Sequence, residues 1–220
     1  MKIDFVSDVS CPWCAIGLKS LETALERLGP ELPVTLHFQP FELNPDMAPE
    51  GEDTTEHIAR KYGMPEAQVA QNREAIRARG AAVGFTFNMD KRGRIYNTFD
   101  AHRLLHWAEV LDEERSTTGE NALALKHAFL QAYFTDGQDP SSHDVLVRYA
   151  TEAGLDGAQA REVLASGRYA DEVREREAYY RDRGIDSVPS IIIDGKHLIQ
   201  GGQPPEMFEQ ALRQIASQGG

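Results

Sequence analysis

Cys11 and Cys14 are the only cysteines in the 220 residues, and they frame the segment Cys11-Pro12-Trp13-Cys14. Two thiols at this spacing make a redox centre. A cysteine at the first turn of a helix has backbone N–H groups and the positive end of the helix dipole aimed at its sulfur. Both favour the thiolate, which is the nucleophilic form. A second cysteine one turn later can attack the sulfur that the first has bonded. A structural staple fits poorly, because the ring that this pair closes is too small to constrain the unfolded chain much. Structural zinc needs four ligands. His102 and His106, spaced i, i+4, would complete a Cys2His2 set, but they lie far from the strand–helix context that suits redox chemistry.

The elements around the pair are legible. Lys2 to Ser7 reads as a strand, with Ser10 as the expected N-cap and Pro12 in the first turn, where a missing N–H is no loss. The helix then carries Ile16, Leu18, Leu21, Leu25 and Leu28 at three- and four-residue steps and stops at Gly29-Pro30. Val34 to Phe41 alternates apolar and polar, so a second strand follows, parallel to the first across a right-handed crossover.

Beyond a Pro-, Gly- and acid-rich loop over 44–53, the periodicity is mostly helical to about Arg183. Helices are expected over 68–83, 97–111, 121–134, 142–153, 156–166 and 169–183. In the last of these, Glu172–Arg176 and Glu177–Arg181 fall at i, i+4 and read as a solvated face. Residues 84–88 read as a short extended stretch entering a turn. Strand character returns at Pro189 to Asp194, Asp194-Gly195 signals a hairpin, and Lys196 to Gln200 is its partner. Gly201-Gly202 ends that strand before a closing helix over 205–215. The order βαβ, helical block, ββα predicts one α/β domain built from 1–48 and 184–220, interrupted by an all-helical insertion over 49–183.

A net charge of −12 leaves no basic stripe to displace counterions from phosphates, so nucleic acid is excluded as a partner. No apolar stretch approaches the length of a membrane span, so no membrane partner is expected. Met1 to Asp4 runs straight into the first strand without the features of a signal peptide, which points to the cytoplasm and its reducing thiol pool.

This order of elements, with Cys-x-x-Cys at the first helix start, resembles the thioredoxin fold, and the large helical block resembles the DsbA group within it. More closely, the chain resembles the FrnE-type DsbA-like proteins, relatives of 2-hydroxychromene-2-carboxylate isomerase and the kappa-class glutathione transferases. The segments that carry the likeness are Asp8 to Gly17, Asn97 to Leu104, Ala132 to Gly137, and Gly184 to Ser190 leading to Gly201-Gly202-Gln203. The resemblance implies that Cys11 is an exposed nucleophile and Cys14 a buried resolving thiol. It implies that Pro189 follows a cis peptide bond and faces the cysteines, with Val188 and Pro189 forming a docking edge for an extended substrate. Pro12 and Trp13 would face substrate too. Asn97, His102 and Arg103 match a family motif over the active site and are candidate pocket residues. Many of the isomerases and transferases have Ser where Cys11 stands, so two cysteines favour redox chemistry. Some FrnE-type proteins carry a further cysteine pair near the C-terminus, which this chain lacks.

The expected function is a disulfide oxidoreductase or isomerase working through a mixed disulfide, on protein or small-molecule thiols and disulfides. No bound cofactor is implied. The alternative is a glutathione-dependent isomerase or transferase of small molecules, with glutathione as cosubstrate; in the redox reading glutathione is the electron partner. A third reading, a holdase, would need neither thiol. Asp8 sets negative charge against the Cys11 thiolate, and Trp13 offers only an indole N–H. The expected centre is therefore less oxidising than DsbA, whose thiol pKa is ~3.5, and nearer thioredoxin at ~7.

Overall fold

The computed structural model describes residues 1–30 and 32–218. Glu31, Gly219 and Gly220, which fall inside the expected segments 1–48 and 184–220, lie outside the described residues. In chain order the elements are β1 (Lys2–Ser7), α1 (Pro12–Leu28), β2 (Thr35–Pro40), β3 (Glu52–Asp53), α2 (Thr54–Tyr62), α3 (Glu66–Ala82), β4 (Arg94–Ile95), α4 (Phe99–Arg115) and α5 (Glu120–Phe134). They continue as α6 (His143–Glu152), α7 (Gly157–Ser166), α8 (Ala170–Asp182), β5 (Ser190–Ile193), β6 (His197–Gln200) and α9 (Pro205–Gln218).

The main sheet has the order β2-β1-β5-β6. β1 pairs in parallel with β2, Phe5 opposite Phe38, and antiparallel with β5, Phe5 opposite Ile191. The two ends of the chain thus share one sheet, as the sequence order requires. β1 is buried along almost its whole length, with Ile3, Phe5 and Val6 in the core and Asp4 and Ser7 buried beside them. α1 packs on α9 over this sheet.

The helical block does not stand apart. α4, α5 and α8 all pack on β2, and one continuous apolar core contains Ile3, Phe5 and Leu18 together with Leu104, Trp107, Phe129 and Phe134. The expected loop over 44–53 ends early: Glu52–Asp53 pairs with Arg94–Ile95, and Asp53 caps α2 by accepting the N–H of Thr55 (2.8 Å) and Glu56 (3.0 Å). Periodicity alone does not single out α2, because only Thr54 and His57 of its nine residues are buried.

The solvated face expected on α8 is also corrected. Glu177 is buried and accepts the backbone N–H of Glu42 (3.0 Å), while Arg174 pairs with both Glu42 and Glu177. Arg181 donates to the Glu42 carbonyl instead of closing an i, i+4 pair. These charges pin α8 to the segment after β2 and so fix the wall of the site.

Candidate active site

Pro12 is the first residue of α1, so the N-cap falls on Cys11 and not on Ser10. Proline carries the helical φ and lacks an N–H, so it begins a helix and leaves its predecessor as the cap. Ser10 instead donates its N–H to Asp8 Oδ1 (3.2 Å). The Cys11 carbonyl accepts from the N–H of Cys14 (3.1 Å) and Ala15 (3.4 Å), which sets Cys14 one turn behind Cys11.

Both cysteines are free thiols, and both are buried. Cys11 is 4% exposed, which corrects the expectation of an exposed nucleophile. Its sulfur lies at the floor of a cavity, because the helices of the insertion rise over the start of α1. The Cys11 thiol donates to the Val188 carbonyl at 3.5 Å. The Val188–Pro189 bond is cis. The Pro189 ring lies against Gly17: a Cβ there would meet Pro189 Cγ at 3.1 Å and Gly202 Cα at 3.4 Å. A Cβ on Gly202 would meet the Trp13 carbonyl at 2.9 Å. Two glycines therefore let the Pro189 segment and the 201–202 turn close onto α1 beside the thiols.

The two thiols are pulled in opposite directions. A hydrogen bond from Cys14 holds the Cys11 thiol below the ordinary range, against burial, with help from the N–H groups of Cys14 and Trp13; the charge of Asp8 opposes. Burial, and then Cys11 itself, push Cys14 well above it. Burial would raise Asp8 as well, but His102 and the N–H groups of Leu43 and Ser10 outweigh it and bring the carboxyl to about 2. Leu43 donates at 2.7 Å. His102 Nε2 lies 3.6 Å from Asp8 Oδ1, within ion-pair range though too far for a hydrogen bond.

The cavity beside Cys11 has a volume of about 760 Å³. Cys11, Pro12, Trp13 and Val188 line it, facing Ile58 and Tyr62 of α2 and Val69 and Ile76 of α3. Trp13 is 39% exposed, and Arg79 of α3 sets its guanidinium 5.8 Å from the indole while donating to the Gly202 carbonyl (3.1 Å). Asn97, His102 and Arg103 do not line this cavity. His102 is buried behind Asp8. Asn97 holds Glu42 (3.0 Å) and the Pro45 carbonyl (3.3 Å). Arg103 donates to Asp100 and to the carbonyls of Val163, Leu164 and Arg168, so it ties α4 to α7. Among the described residues no three His, Cys, Asp or Glu side chains converge as a metal ion would need.

Two residues emerge that sequence reasoning passes over. Arg92 lines the cavity with its guanidinium 5.0 Å from both the Tyr133 and Phe134 rings and donates to the Ser10 carbonyl (3.4 Å); nothing in its loop signals this. Lys126 is fully buried. Its signal was present, since it sits four residues after Ala122 and three before Phe129 on the apolar stripe of α5.

The arrangement has counterparts among known proteins. The crystal structure of a probable DsbA oxidoreductase, SCO1869 from Streptomyces coelicolor, is 34% identical, with a TM-score of 0.85 over 99% of this chain and 90% of that one. The uncharacterized protein YwbO of Bacillus subtilis (strain 168) is 26% identical over 211 residues, 96% of this chain and 94% of that protein. The cytosolic disulfide reductase DsbM from Pseudomonas aeruginosa with GSH shares the fold at 18% identity, with a TM-score of 0.64 over 99% of this chain and 100% of that one. A family model for the DSBA-like thioredoxin domain matches residues 2–213. That match runs through both halves of the sheet and everything between them, and the chain therefore belongs to the DSBA-like thioredoxin domain family.

Proposed function

We propose that this protein is a thiol–disulfide oxidoreductase in which Cys11 and Cys14 alternate between dithiol and disulfide. The observation that carries this reading is the placement of Cys11 as the N-cap of α1, at the floor of an open cavity, with the Cys14 thiol one turn behind it. The Cys11 thiolate attacks a substrate disulfide; its sulfur bonds one substrate sulfur, and the other leaves as a thiolate. Cys14 then attacks Cys11, the Cys11–Cys14 bond forms, and the second substrate sulfur leaves. The substrate is reduced by two electrons and the enzyme pair oxidised by two; the reverse sequence oxidises a dithiol. The Val188 carbonyl, now held by the Cys11 thiol, marks the edge where an extended substrate would dock beside Pro189. Glutathione serves as electron partner in this reading, as the GSH complex of a fold neighbour suggests, in a reducing cytoplasmic pool.

The size and apolar lining of the cavity favour one second reading, a glutathione-dependent isomerase or transferase of small molecules. Redox titration in glutathione buffers, followed by thiol alkylation and mass measurement, separates the two. A cooperative two-electron transition near about −270 mV supports a reductase, and one near about −120 mV an oxidant. A pair that stops at a glutathione adduct on Cys11, together with full activity in Cys14→Ser, overturns the redox reading in favour of the second.

A further inference from the structure

Arg92 lines the cavity beside Cys11 and is only 7% exposed. Its guanidinium is a permanent cation, since it does not lose its proton inside a protein. Nη2 donates to the Ser10 carbonyl at 3.4 Å, and Nε has no hydrogen-bond partner among the described residues. The Tyr133 and Phe134 rings stand 5.0 Å from the guanidinium. Such rings attract a cation modestly and seat it, but they bring no opposite charge. A buried cation in this state is costly until an anion answers it.

The protein does not supply that anion from the cavity wall. Of the two carboxylates there, Glu42 pairs with Arg174, and Asp186 is exposed to solvent. The other wall cations are engaged. Lys61 donates to the Leu43 carbonyl (2.7 Å) and to Asn44 (2.8 Å), Arg73 to the Thr55 hydroxyl (2.7 Å), and Arg181 to the Glu42 carbonyl (3.1 Å). Arg92 is therefore the buried cation of the wall with a donor left idle. Around it the wall is apolar, with Ile58, Val69, Ile76, Met89 and Ile95.

We propose that the cavity takes small disulfides made of an apolar body bearing a carboxylate, with Arg92 holding the carboxylate while Cys11 meets the sulfur. The inference rests on the disulfide-exchange reading above and names the substrate class of that site. Carboxylate is the anion that a guanidinium pairs with best, through two N–H groups at once. Arg92 bonds the carbonyl of the residue before Cys11, so one small molecule can reach both groups. The apolar wall separates this occupant from glutathione, whose surface is almost wholly polar. In the reaction the Cys11–sulfur bond forms and the substrate disulfide breaks, its electron pair leaving on the distal sulfur. Cys14 gives its proton to solvent and closes on Cys11, and the second substrate sulfur leaves as a thiolate. The cysteine pair loses two electrons and the substrate gains them.

The test uses the full reduced chain and two aryl disulfides in a stopped-flow instrument. Dithiobis(nitrobenzoate) carries a carboxylate on each ring, whereas dithiodipyridine is uncharged at neutral pH, and each releases an absorbing product. The first release reads attack by Cys11, and the second reads closure by Cys14. Arg92→Met keeps an apolar side chain of similar reach and removes the charge. The ratio of first-release rates, carboxylate reagent over uncharged reagent, cancels any change in the thiol or the fold common to both. It should fall about 30-fold from wild type to Arg92→Met. An unchanged ratio overturns the proposal, whether both rates hold or both drop together. A wild type that never shows a second release overturns disulfide exchange, while the first-release ratio still decides Arg92. Should Arg92→Met fail to fold, the wild type decides through alkylation of Cys11 by iodoacetamide. Para-nitrobenzoate must protect the thiol at least tenfold better than its uncharged amide, and equal protection, or none, overturns the proposal.

Discussion

Asp8 and Cys11 stand three residues apart, and the carboxylate works against the thiolate that the helix start favours. Two N–H groups and His102 hold the Asp8 charge in place inside the protein. Its carboxyl is depressed from 3.8 to about 2. A depressed acid adds stability that is present above its unfolded pKa, about 3.9, and is lost as pH falls through the folded value. Asp8→Asn should therefore cost about 2 kcal/mol at neutral pH and remove part of the loss of stability between about pH 4 and about pH 2. It should also lower the Cys11 pKa, read as the pH dependence of alkylation by iodoacetamide. A Cys11 pKa that rises or stays put would show that the opposition described here is absent. Asp8 was legible in the sequence because it is near Cys11 along the chain. The His102 contact was not, because it depends on how α4 packs across β2, and a motif match places a residue in a region without saying which way it faces.

Glu109 shows the same dependence on context for a whole element. It is one helical turn from Leu105 on α4 and receives the N–H of Phe38, while Arg176 of α8 lies 3.5 Å from its other oxygen. One carboxyl thus joins α4, β2 and α8. Burial raises it to about 7. The sign is opposite to that of Asp8: a raised acid holds its proton in the folded state, so its contribution is full below the unfolded value of about 4.3 and is lost as pH rises through about 7. Glu109→Gln keeps an acceptor for the Phe38 N–H and cannot ionise. Its unfolding free energy in urea should match the wild type near pH 4 and exceed it above pH 8, by about 3 to 4 kcal/mol at most. Parallel pH profiles for the two proteins would refute this account. Apart from α2, the helices follow the apolar steps of the sequence to within a few residues, since local periodicity reports burial. Glu177 escapes that signal, because an i, i+4 charge pattern is satisfied equally well by solvent and by the end of β2.

For the whole molecule, the order βαβ, helices, ββα is enough to bring the chain ends into one sheet, because β1 has too much apolar surface to lie at an edge and must be flanked on both sides. The same order suggests a separate insertion, yet the core crosses the boundary: Phe5 and Leu18 pack in one cluster with Leu104 and Phe129. β2, at the edge of the sheet, takes α4, α5 and α8 on its surface. Removing residues 49–183 would therefore strip the cover from β2. Chains above ~150 residues often unfold in more than one step, so a shared core makes a distinct claim. The two tryptophans report on the two parts. Trp13 stands at the start of α1, and Trp107 is buried in α4. In Trp107→Phe the fluorescence comes from Trp13 alone, and in Trp13→Phe from Trp107 alone. In each variant the urea midpoint by fluorescence should coincide with that by far-ultraviolet circular dichroism. Any destabilisation from Trp107→Phe moves both probes together, so the comparison within one protein is unaffected. A Trp107 signal that melts apart from the dichroism would mean that the helices fold on a core of their own. The cavity would then be a junction between two units.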